Sequence, residues 1–572
     1  MILAHSAGVG EHHVPEHTSG RSYGTSVCSQ GEGMSSDPDL IIWGASIRTL
    51  DDRQPFCSAV AIKDGLIVAA GDDDAVRATR GAGTEVIDGR GIAFVPGLTD
   101  AHIHPISSSI ATRGVDAFDC VTLEELRAKL RAEAASLGPD DWVVGWGVHY
   151  EMFSPTGIRG DLLDEAVGGR PIYLRFFDGH SAVANRTALA IAGVTGPVEF
   201  ADASSVTVEN GVPTGELLEI AAMNLVSNAI PPLTPEAEYE RYRDTFRRYA
   251  EVGLTYVHAM EASPEEFSIY QALEDRGDLT CRVVVPLWQH PQLTVAEMRD
   301  QIPLRDEKGT LWRGGAVKFF IDGVIETGTG WLTHPDTHGD GVTPFWPNPE
   351  AYAGAVSLFA EAGFQCITHS VGDGGVRWAL NSFEAARAFS QNGLNGPHRI
   401  EHDELVEPVD VPRFAELNVV ASMQPLHMAA MQPDGSDAWA DRAGPERTAR
   451  AFPTRSLLDA GAMLALGSDW SVAPFDPRLG MAWVRLRRTP GLKDMPPRAP
   501  DQALTGLETL HGYTTGAAAA IAESHLSGRI APGYRGDLTG FAADPVDCDA
   551  DDLVDLPVLM TVMNGRITHR AV

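Results

Sequence analysis

Two histidines separated by one residue, His102 and His104, are the first residues whose types and spacing suggest chemistry. They close an apolar stretch that begins PGLTDA and is typical of a β-strand. Side chains alternate faces along a strand, so the two imidazoles project to the same side and can share one metal ion. By itself the H-x-H pair is a weak signal, because histidine pairs at this spacing are common by chance.

Three later apolar runs also close on a side chain of a metal-ligating type. His369 closes CITHS, His402 closes RIEH and Asp469 closes ALGSD. A buried histidine is more often a satisfied core residue, but four histidines and an aspartate at equivalent positions favour one shared site. Imidazole nitrogens with a carboxylate suit Zn²⁺ or a related divalent transition metal.

Lys318, in the run GAVKFFIDG, is the unusual member of this set. A lysine on a buried strand must be paired or chemically altered, because burying an ammonium group is costly. One interpretation is a salt bridge to a neighbouring carboxylate such as Asp322. The other is a carbamylated lysine that bridges two metal ions. The spacing does not choose between them.

These residues need a scaffold that brings the ends of distant strands together. Apolar strand-like runs alternate with amphipathic stretches such as PEAEYERYRDTFRRYAEVG and PEAYAGAVSLFAEAG. The eight strand candidates are 97–104, 254–260, 279–288, 315–322, 364–370, 398–404, 418–424 and 462–469. Eight strands separated by helices predict an α/β protein with a closed parallel (β/α)8 barrel, whose C-terminal rim carries the catalytic groups.

The segments outside this alternation predict the domain organisation. Residues 1–36 lack periodicity and are expected to form a disordered tail. Short strands at both ends of the chain predict one small β-sandwich domain from residues 37–97 and 511–572. The barrel is then expected over 98–510. An insertion at 113–235 is too long for one helix and is a candidate lid over the rim.

Composition restricts the partners. The formal net charge of −34 opposes binding to phosphate backbones, so nucleic acid is not expected as a partner. No apolar run reaches the length of a membrane span. The six cysteines are scattered, without a C-x-x-C pair, which favours a reducing cytoplasm. We expect a small-molecule substrate. The sequence does not decide whether the protein forms a homodimer.

The ordered set of motifs resembles a known family. PGLTDAHIHP, GAVKFFIDG, FQCITHSVGD, RIEHDE, SMQPLH and GSDWSV together resemble the amidohydrolase superfamily, in its YtcJ-like (amidohydrolase-3) branch, which includes N-substituted formamide deformylases. The resemblance extends over nearly everything after residue 38. It implies a (β/α)8 barrel beside a small β-sandwich built from both chain ends, and hydrolysis of carbon–nitrogen bonds other than peptide bonds.

The same resemblance implies six metal ligands, which are His102, His104, Lys318, His369, His402 and Asp469. It implies one or two divalent ions, zinc by ligand type, with Lys318 carbamylated and bridging and Asp469 also acting as general base. Two motifs depart from the family pattern: EHDE replaces a small residue and an amide after the histidine, and DGVIETGTG replaces a small, polar run. Both lie near the pocket and leave the substrate open.

Candidates for substrate contact are Trp146, His180, Asp322 and His427. For His180 and His427 a purely structural role is equally open, and core packing is the simpler interpretation of the aromatic rings in the insertion. The same metal barrel could instead act on an ester or lactone, or run a decarboxylation or isomerisation. A non-catalytic binding protein on this scaffold would have lost at least one ligand, and none of the six is replaced.

Overall fold

The computed structural model describes residues 37–177, 179–200, 204–388, 396–432 and 434–571. The predicted disordered tail, residues 1–36, lies outside these residues. Eight strands form one parallel sheet in the order of the chain. They are β1 (Leu98–Ile103), β2 (Leu254–Ala259), β3 (Arg282–Gln289), β4 (Trp312–Phe320), β5 (Gln365–Ser370), β6 (Arg399–His402), β7 (Val420–Met423) and β8 (Met463–Leu466). The predicted (β/α)8 fold is confirmed.

The sheet closes between β8 and β1 through the residues that follow β8. The Asp469 N–H donates to the His102 carbonyl oxygen at 2.7 Å, and the Asp100 carboxylate accepts the N–H groups of His102 and Ser468, each at 3.0 Å. Gly467 allows this approach, because a Cβ there would lie 2.5 Å from the His102 nitrogen. Closure therefore places Asp469 directly beside the H-x-H pair.

Helices cover the outside of the barrel and begin at capping residues. The longest, Pro235–Glu251, has Pro at its first position, and the side chain of Thr234 accepts the Ala237 N–H. Its buried face carries Phe246 and Tyr249, which pack on the barrel core. The other helices around the barrel are Pro105–Ala111, Phe267–Asp275, Val295–Asp300, Pro349–Glu361, Asp373–Ala386, Val411–Leu417, Ala438–Thr448, Thr454–Asp459, Pro477–Leu486, Gly506–Gly512 and Thr515–Ala519.

Two further sheets are built from both ends of the chain. Four strands lie in the order Leu66–Gly71, Ala59–Lys63, Leu40–Trp43 and Glu85–Asp88. Six lie in the order Arg566–Arg570, Val558–Met563, Leu538–Phe541, Ala93–Pro96, Ser46–Arg48 and Phe56–Cys57. Leu538–Phe541 pairs antiparallel with Ala93–Pro96, and the two sheets share an apolar core that includes Ile42, Ile62 and Phe94.

The segment between β1 and β2 forms a six-stranded sheet of its own. Its strands, in sheet order, are Ser205–Glu209, Val212–Leu218, Ser181–Ala184, Ile172–Phe176, Val143–Val148 and Val115–Asp116. The helices Leu123–Ser136, Asp164–Val167, Arg186–Ile191 and Glu219–Ser227 flank it. Separate apolar clusters around Leu174 and Leu217 support this sheet, so it packs as a unit distinct from the barrel core.

The N-terminal end of the barrel is closed by salt bridges to residues near the C-terminus. The Glu523 carboxylate pairs with Arg313 at 3.0 Å and with Arg535, and it accepts the Tyr256 hydroxyl at 3.1 Å. Arg282 pairs with Asp537 at 3.0 Å. Among the helices of the described residues, none is both long and apolar enough to cross a bilayer.

Candidate metal centre

Asp469 lies at the centre of the C-terminal rim, between two pairs of histidines. Its Oδ1 is 3.0 Å from His104 Nε2 and 3.3 Å from His102 Nε2. Its Oδ2 is 3.5 Å from His427 Nε2 and 3.9 Å from His402 Nδ1. The potential ligand atoms within each trio, one histidine pair plus Asp469, all lie within 4.8 Å of one another. One carboxylate is thus shared by two possible cation sites.

His102 is held by a buried pair of charges. Its Nδ1 lies 2.6 Å from Glu401 Oε2, and Arg399 binds Glu401 through Nε at 2.6 Å. Arg399 also donates to the Ala101 carbonyl at 2.6 Å and to Ser422 at 2.8 Å. A carboxylate accepting the Nδ1–H of a histidine fixes its tautomer and leaves Nε2 as the free ligand atom. The Nε2 of His102 therefore faces Asp469 with its lone pair available.

In each trio a second histidine, His104 in one and His427 in the other, also lies beside a carboxylate. His104 Nδ1 is 3.4 Å from Glu261, and His427 Nδ1 is 3.3 Å from Glu404. Burial opposes charging of both rings, but the surrounding carboxylates outweigh it and raise the pKa of His104 and of His427 to about 10. In the absence of a cation, the carboxylates of the centre therefore favour positive charge on these two rings, and a bound cation would supply that positive charge instead.

Lys318 projects into the same space from β4 and is fully buried. Its Nζ has no hydrogen-bond partner among the described residues, and neither has His402 Nδ1. No ion pair joins Lys318 to Asp322 within the described part of the chain, and Lys318 Nζ lies 5.0 Å from the centroid of the Phe320 ring. Burial lowers the pKa of Lys318 to about 8. Buried polar atoms without partners beside imidazoles and a carboxylate fit a divalent metal ion.

His369 is placed beside the two trios but belongs to neither. Its Nε2 donates to the Gly323 carbonyl at 2.9 Å, which leaves Nδ1 unprotonated. Its ring lies 4.3 Å from that of His402, and burial together with the charge of Lys318 lowers its pKa to about 3. His369 is therefore a neutral imidazole at the edge of the centre.

Asp322 has structural partners. Its carboxylate is buried and accepts the backbone N–H groups of Gly372 at 2.8 Å, Trp331 at 3.0 Å and Val371 at 3.1 Å. Burial raises its pKa to about 8. These hydrogen bonds join the loop after β4 to the loop after β5, so Asp322 stabilises the conformation of both loops at the rim.

The backbone is strained at two of the rim residues. His402 has φ +77° and Asp469 has φ +61°, in the left-handed region that non-glycine residues rarely adopt. Such strain persists only where the surrounding structure fixes it, and it is concentrated at functional sites. Here it turns both side chains from the strand direction toward the common centre.

Two of the predicted substrate-contacting residues, Trp146 and His180, contact other residues of the insertion. Trp146 packs on Phe118 with ring centroids 6.1 Å apart, and His180 Nδ1 is 3.0 Å from Glu219. His427, the other candidate, instead lies in the metal centre. Sequence reasoning missed Glu261, Glu401 and Glu404; a signal existed for two of them, because the EHDE motif surrounds His402 with carboxylates.

Comparison with known proteins gives the relatives of this chain and the relatives of its fold. The chain is similar to the N-substituted formamide deformylase of Arthrobacter pascens, at 28% identity over 94% of this chain and 99% of the relative. It is equally similar, at 28% identity over 92% of this chain and 91% of the relative, to Protein LONG AFTER FAR-RED 3 of Arabidopsis thaliana. The fold matches that of an uncharacterized metal-dependent hydrolase from Pyrococcus horikoshii, with TM-score 0.70, 22% identity, and 89% and 99% of the two chains covered.

The family resemblance inferred from the motifs is confirmed by the sequence profile of the amidohydrolase family, which matches residues 85–569. That span includes the whole barrel and every residue of the metal centre. The chain belongs to the amidohydrolase family.

Proposed function

We propose that this chain binds a divalent metal around Asp469 and hydrolyses the carbon–nitrogen bond of a small-molecule amide, with an N-formyl or N-acyl compound as substrate. The single observation that carries the proposal is the Asp469 carboxylate, which lies between His102 and His104 on one side and His402 and His427 on the other. The N-formyl class is supported by the similarity to a protein named N-substituted formamide deformylase.

Zinc is the proposed ion, because imidazoles and a carboxylate are its usual ligands in hydrolases. The two histidine pairs on either side of Asp469 support up to two ions. Lys318 would add an oxygen ligand as a carbamate. Burial lowers the pKa of Lys318 to about 8, so a much larger fraction of its side chain is neutral amine near pH 7 than in an ordinary lysine. The nitrogen of that amine can bond to the carbon of CO₂ and lose a proton.

When bound, the metal lowers the pKa of water and polarises the substrate carbonyl. Asp469 orients the attacking water, accepts its proton and delivers that proton to the leaving nitrogen. Glu401 and Arg399 hold the His102 ring, so that its Nε2 keeps facing the centre. Glu261 and Glu404 hold His104 and His427 in the same way.

The test of the general base is Asp469→Asn, which keeps the side-chain shape and removes the proton acceptor. We expect kcat to fall by about 10² to 10⁴, with some metal retained in elemental analysis. The matched double variant, His102→Ala with His104→Ala, should instead lose metal. Full turnover by Asp469→Asn would refute the assignment.

The substrate class is tested with a panel of N-formyl amides, N-acyl amides, esters, lactones and carboxylates on the zinc-loaded protein. Hydrolysis of the amides supports the proposal. Turnover of esters or lactones alone would replace it with an esterase function. Metal binding without turnover of any compound would favour a binding protein on this scaffold.

A further inference from the structure

One side chain in the barrel strands is exposed. Trp288, near the C-terminal end of β3, exposes 41% of its surface, whereas every other residue of the eight strands is buried or half-buried. A single exposed ring needs no explanation, but an exposed tryptophan at a barrel mouth, where ligand sites form, is a candidate ligand contact when further rings adjoin it.

The direction of Trp288 follows from the strand register. Trp288 pairs with Lys318 across β3 and β4, and neighbours in register project to the same side of a parallel sheet. Two and four residues earlier on the same face lie Pro286 and Val284, and Val284 packs inside the barrel against Tyr256. Trp288 therefore projects toward the barrel mouth, above the face that carries Lys318.

Two phenylalanines extend this aromatic surface. Phe320, at the end of β4, lies with its ring centroid 6.0 Å from Trp288 and 6.3 Å from Phe345. Phe345 is 43% exposed, and its backbone N–H donates to the Ile321 carbonyl at 2.8 Å, which fixes it to the end of β4. We call Trp288, Phe320 and Phe345 the aromatic shelf.

The aromatic shelf is continuous with the metal centre. Phe320 stacks on His369 with centroids 4.6 Å apart, and Lys318 Nζ lies 5.0 Å from the same ring. A molecule whose amide carbon reaches Asp469 can thus extend over Phe320 onto Trp288 and Phe345. The side chains that could hold a metal come from β1, β4, β6 and the segments after β7 and β8, with His369 of β5 at their edge. Neither β2 nor β3 supplies one of them, and β3 instead contributes Trp288 to the aromatic shelf.

From these contacts we propose that the aromatic shelf is the specificity subsite for an aromatic ring carried by the substrate, with Trp288 as its main determinant. Aromatic rings favour offset-stacked or edge-to-face contacts at centroid separations of about 4.5–7 Å, which the shelf offers on its open side. The inference rests on the proposed function, because it assigns a substituent to the amide that is hydrolysed at Asp469.

The experiment uses the zinc-loaded full chain and two matched pairs of amides. N-(2-phenylethyl)formamide against N-ethylformamide places the ring on the amine side, and N-ethyl-3-phenylpropanamide against N-ethylpropanamide places it on the acyl side. We expect the wild type to prefer the ring-bearing member of one pair by at least about 10-fold in kcat/KM, because even a single methylene group in an apolar pocket discriminates by about 10- to 200-fold.

Trp288→Ala should reduce that preference at least about 5-fold, Phe345→Ala should reduce it less, and Trp288→Phe should keep most of it. The matched control is Phe56→Ala, which removes an aromatic side chain that is 55% exposed on the strand Phe56–Cys57, in the six-stranded sheet built from both chain ends. It should leave the preference unchanged. Phe345→Ala and Trp288→Phe keep the test decisive if Trp288→Ala does not fold.

Binding separates this inference from the proposed function. Calorimetry with 2-phenylethylamine against ethylamine, and 3-phenylpropanoate against propanoate, measures the shelf without turnover. Tighter binding of one ring-bearing compound that is lost in Trp288→Ala supports the shelf even if no amide is hydrolysed. Equal ratios in wild type and Trp288→Ala would overturn the inference, as would a Trp288→Ala variant that changes only the oligomeric state in analytical ultracentrifugation.

Discussion

Both ends of the barrel contain charged side chains away from water, but the two ends differ in whether these side chains have hydrogen-bond partners. At the N-terminal end, Glu523 receives Arg313, Arg535 and Tyr256, and Arg282 binds both Asp537 and Asn564. At the C-terminal rim, Lys318 Nζ and His402 Nδ1 have no hydrogen-bond partner among the described residues.

This difference distinguishes a structural network from a binding site. Buried polar groups are normally satisfied, because each unsatisfied group costs about 1–3 kcal/mol. The N-terminal network meets that rule and joins the barrel to the C-terminal segment. The rim breaks the rule at His402, whose imidazole is a usual metal ligand, and at Lys318, which could ligate a metal as a carbamate. A bound divalent ion would account for the unpaired atoms at this end.

The largest effect on stability should come from the N-terminal end. Glu523→Gln removes the carboxylate that pairs with two half-buried arginines, Arg313 and Arg535. Removing one partner of a fully buried charge pair costs about 3–5 kcal/mol, and the partial exposure of both arginines places the expected cost below that. We expect a clear decrease in the urea unfolding midpoint, with metal content and turnover per folded molecule unchanged. Loss of metal without loss of stability would contradict the structural role of this end.

The matched substitution at the rim is Glu401→Gln, which has the same chemistry in a buried carboxylate–arginine pair. Here the expected loss is in metal affinity, about 10- to 100-fold, because the carboxylate orients the ligand His102. Competition with a zinc chelator measures it in the absence of substrate. If Glu401→Gln lowered only the unfolding midpoint, as predicted for Glu523→Gln, the contrast between the two ends would fail.

The smallest effect concerns a pair outside both networks, Arg455 and Glu508. Their hydrogen bond lowers the pKa of Glu508 from 4.5 to about 2 in the folded chain. The resulting stability is fully present above pH 4.5 and is lost as the pH falls toward 2. Arg455→Gln should therefore cost at most about 1 kcal/mol at pH 7, and less with each step below pH 4.5, in urea unfolding. A cost that grew on acidification would contradict the pairing.

Much of the barrel follows from local pattern. The predicted run 254–260 contains β2 (Leu254–Ala259), and 364–370 contains β5 (Gln365–Ser370), because continuous apolar runs of this length fit strands buried on both faces. The predicted end at 469 was less accurate, since β8 stops at Leu466. Asp469 lies three residues beyond the strand and adopts a positive φ, which apolar periodicity does not encode.

The composition of the metal centre was only partly predictable. Strand ends indicated His102, His104, His402 and Asp469, because parallel strands in a barrel bring their carboxyl ends to one rim. His427 lies on the 3₁₀ segment Pro425–Ala430, beyond β7, and its position beside Asp469 depends on how that turn folds. The other residues of the strand that contains Trp288 are buried, so the residue types around Trp288 did not predict that its side chain is exposed.

The sequence by itself determined the alternation of strands and helices, the residue types at the strand ends and the family to which they belong. Only the tertiary structure decided which nitrogen of each histidine is free, which carboxylate holds the ring, and where the aromatic shelf is exposed. The reason is separation along the chain: His102 meets Glu401 across 299 residues and Asp100 meets Ser468 across 368. Such contacts exist only once the barrel closes.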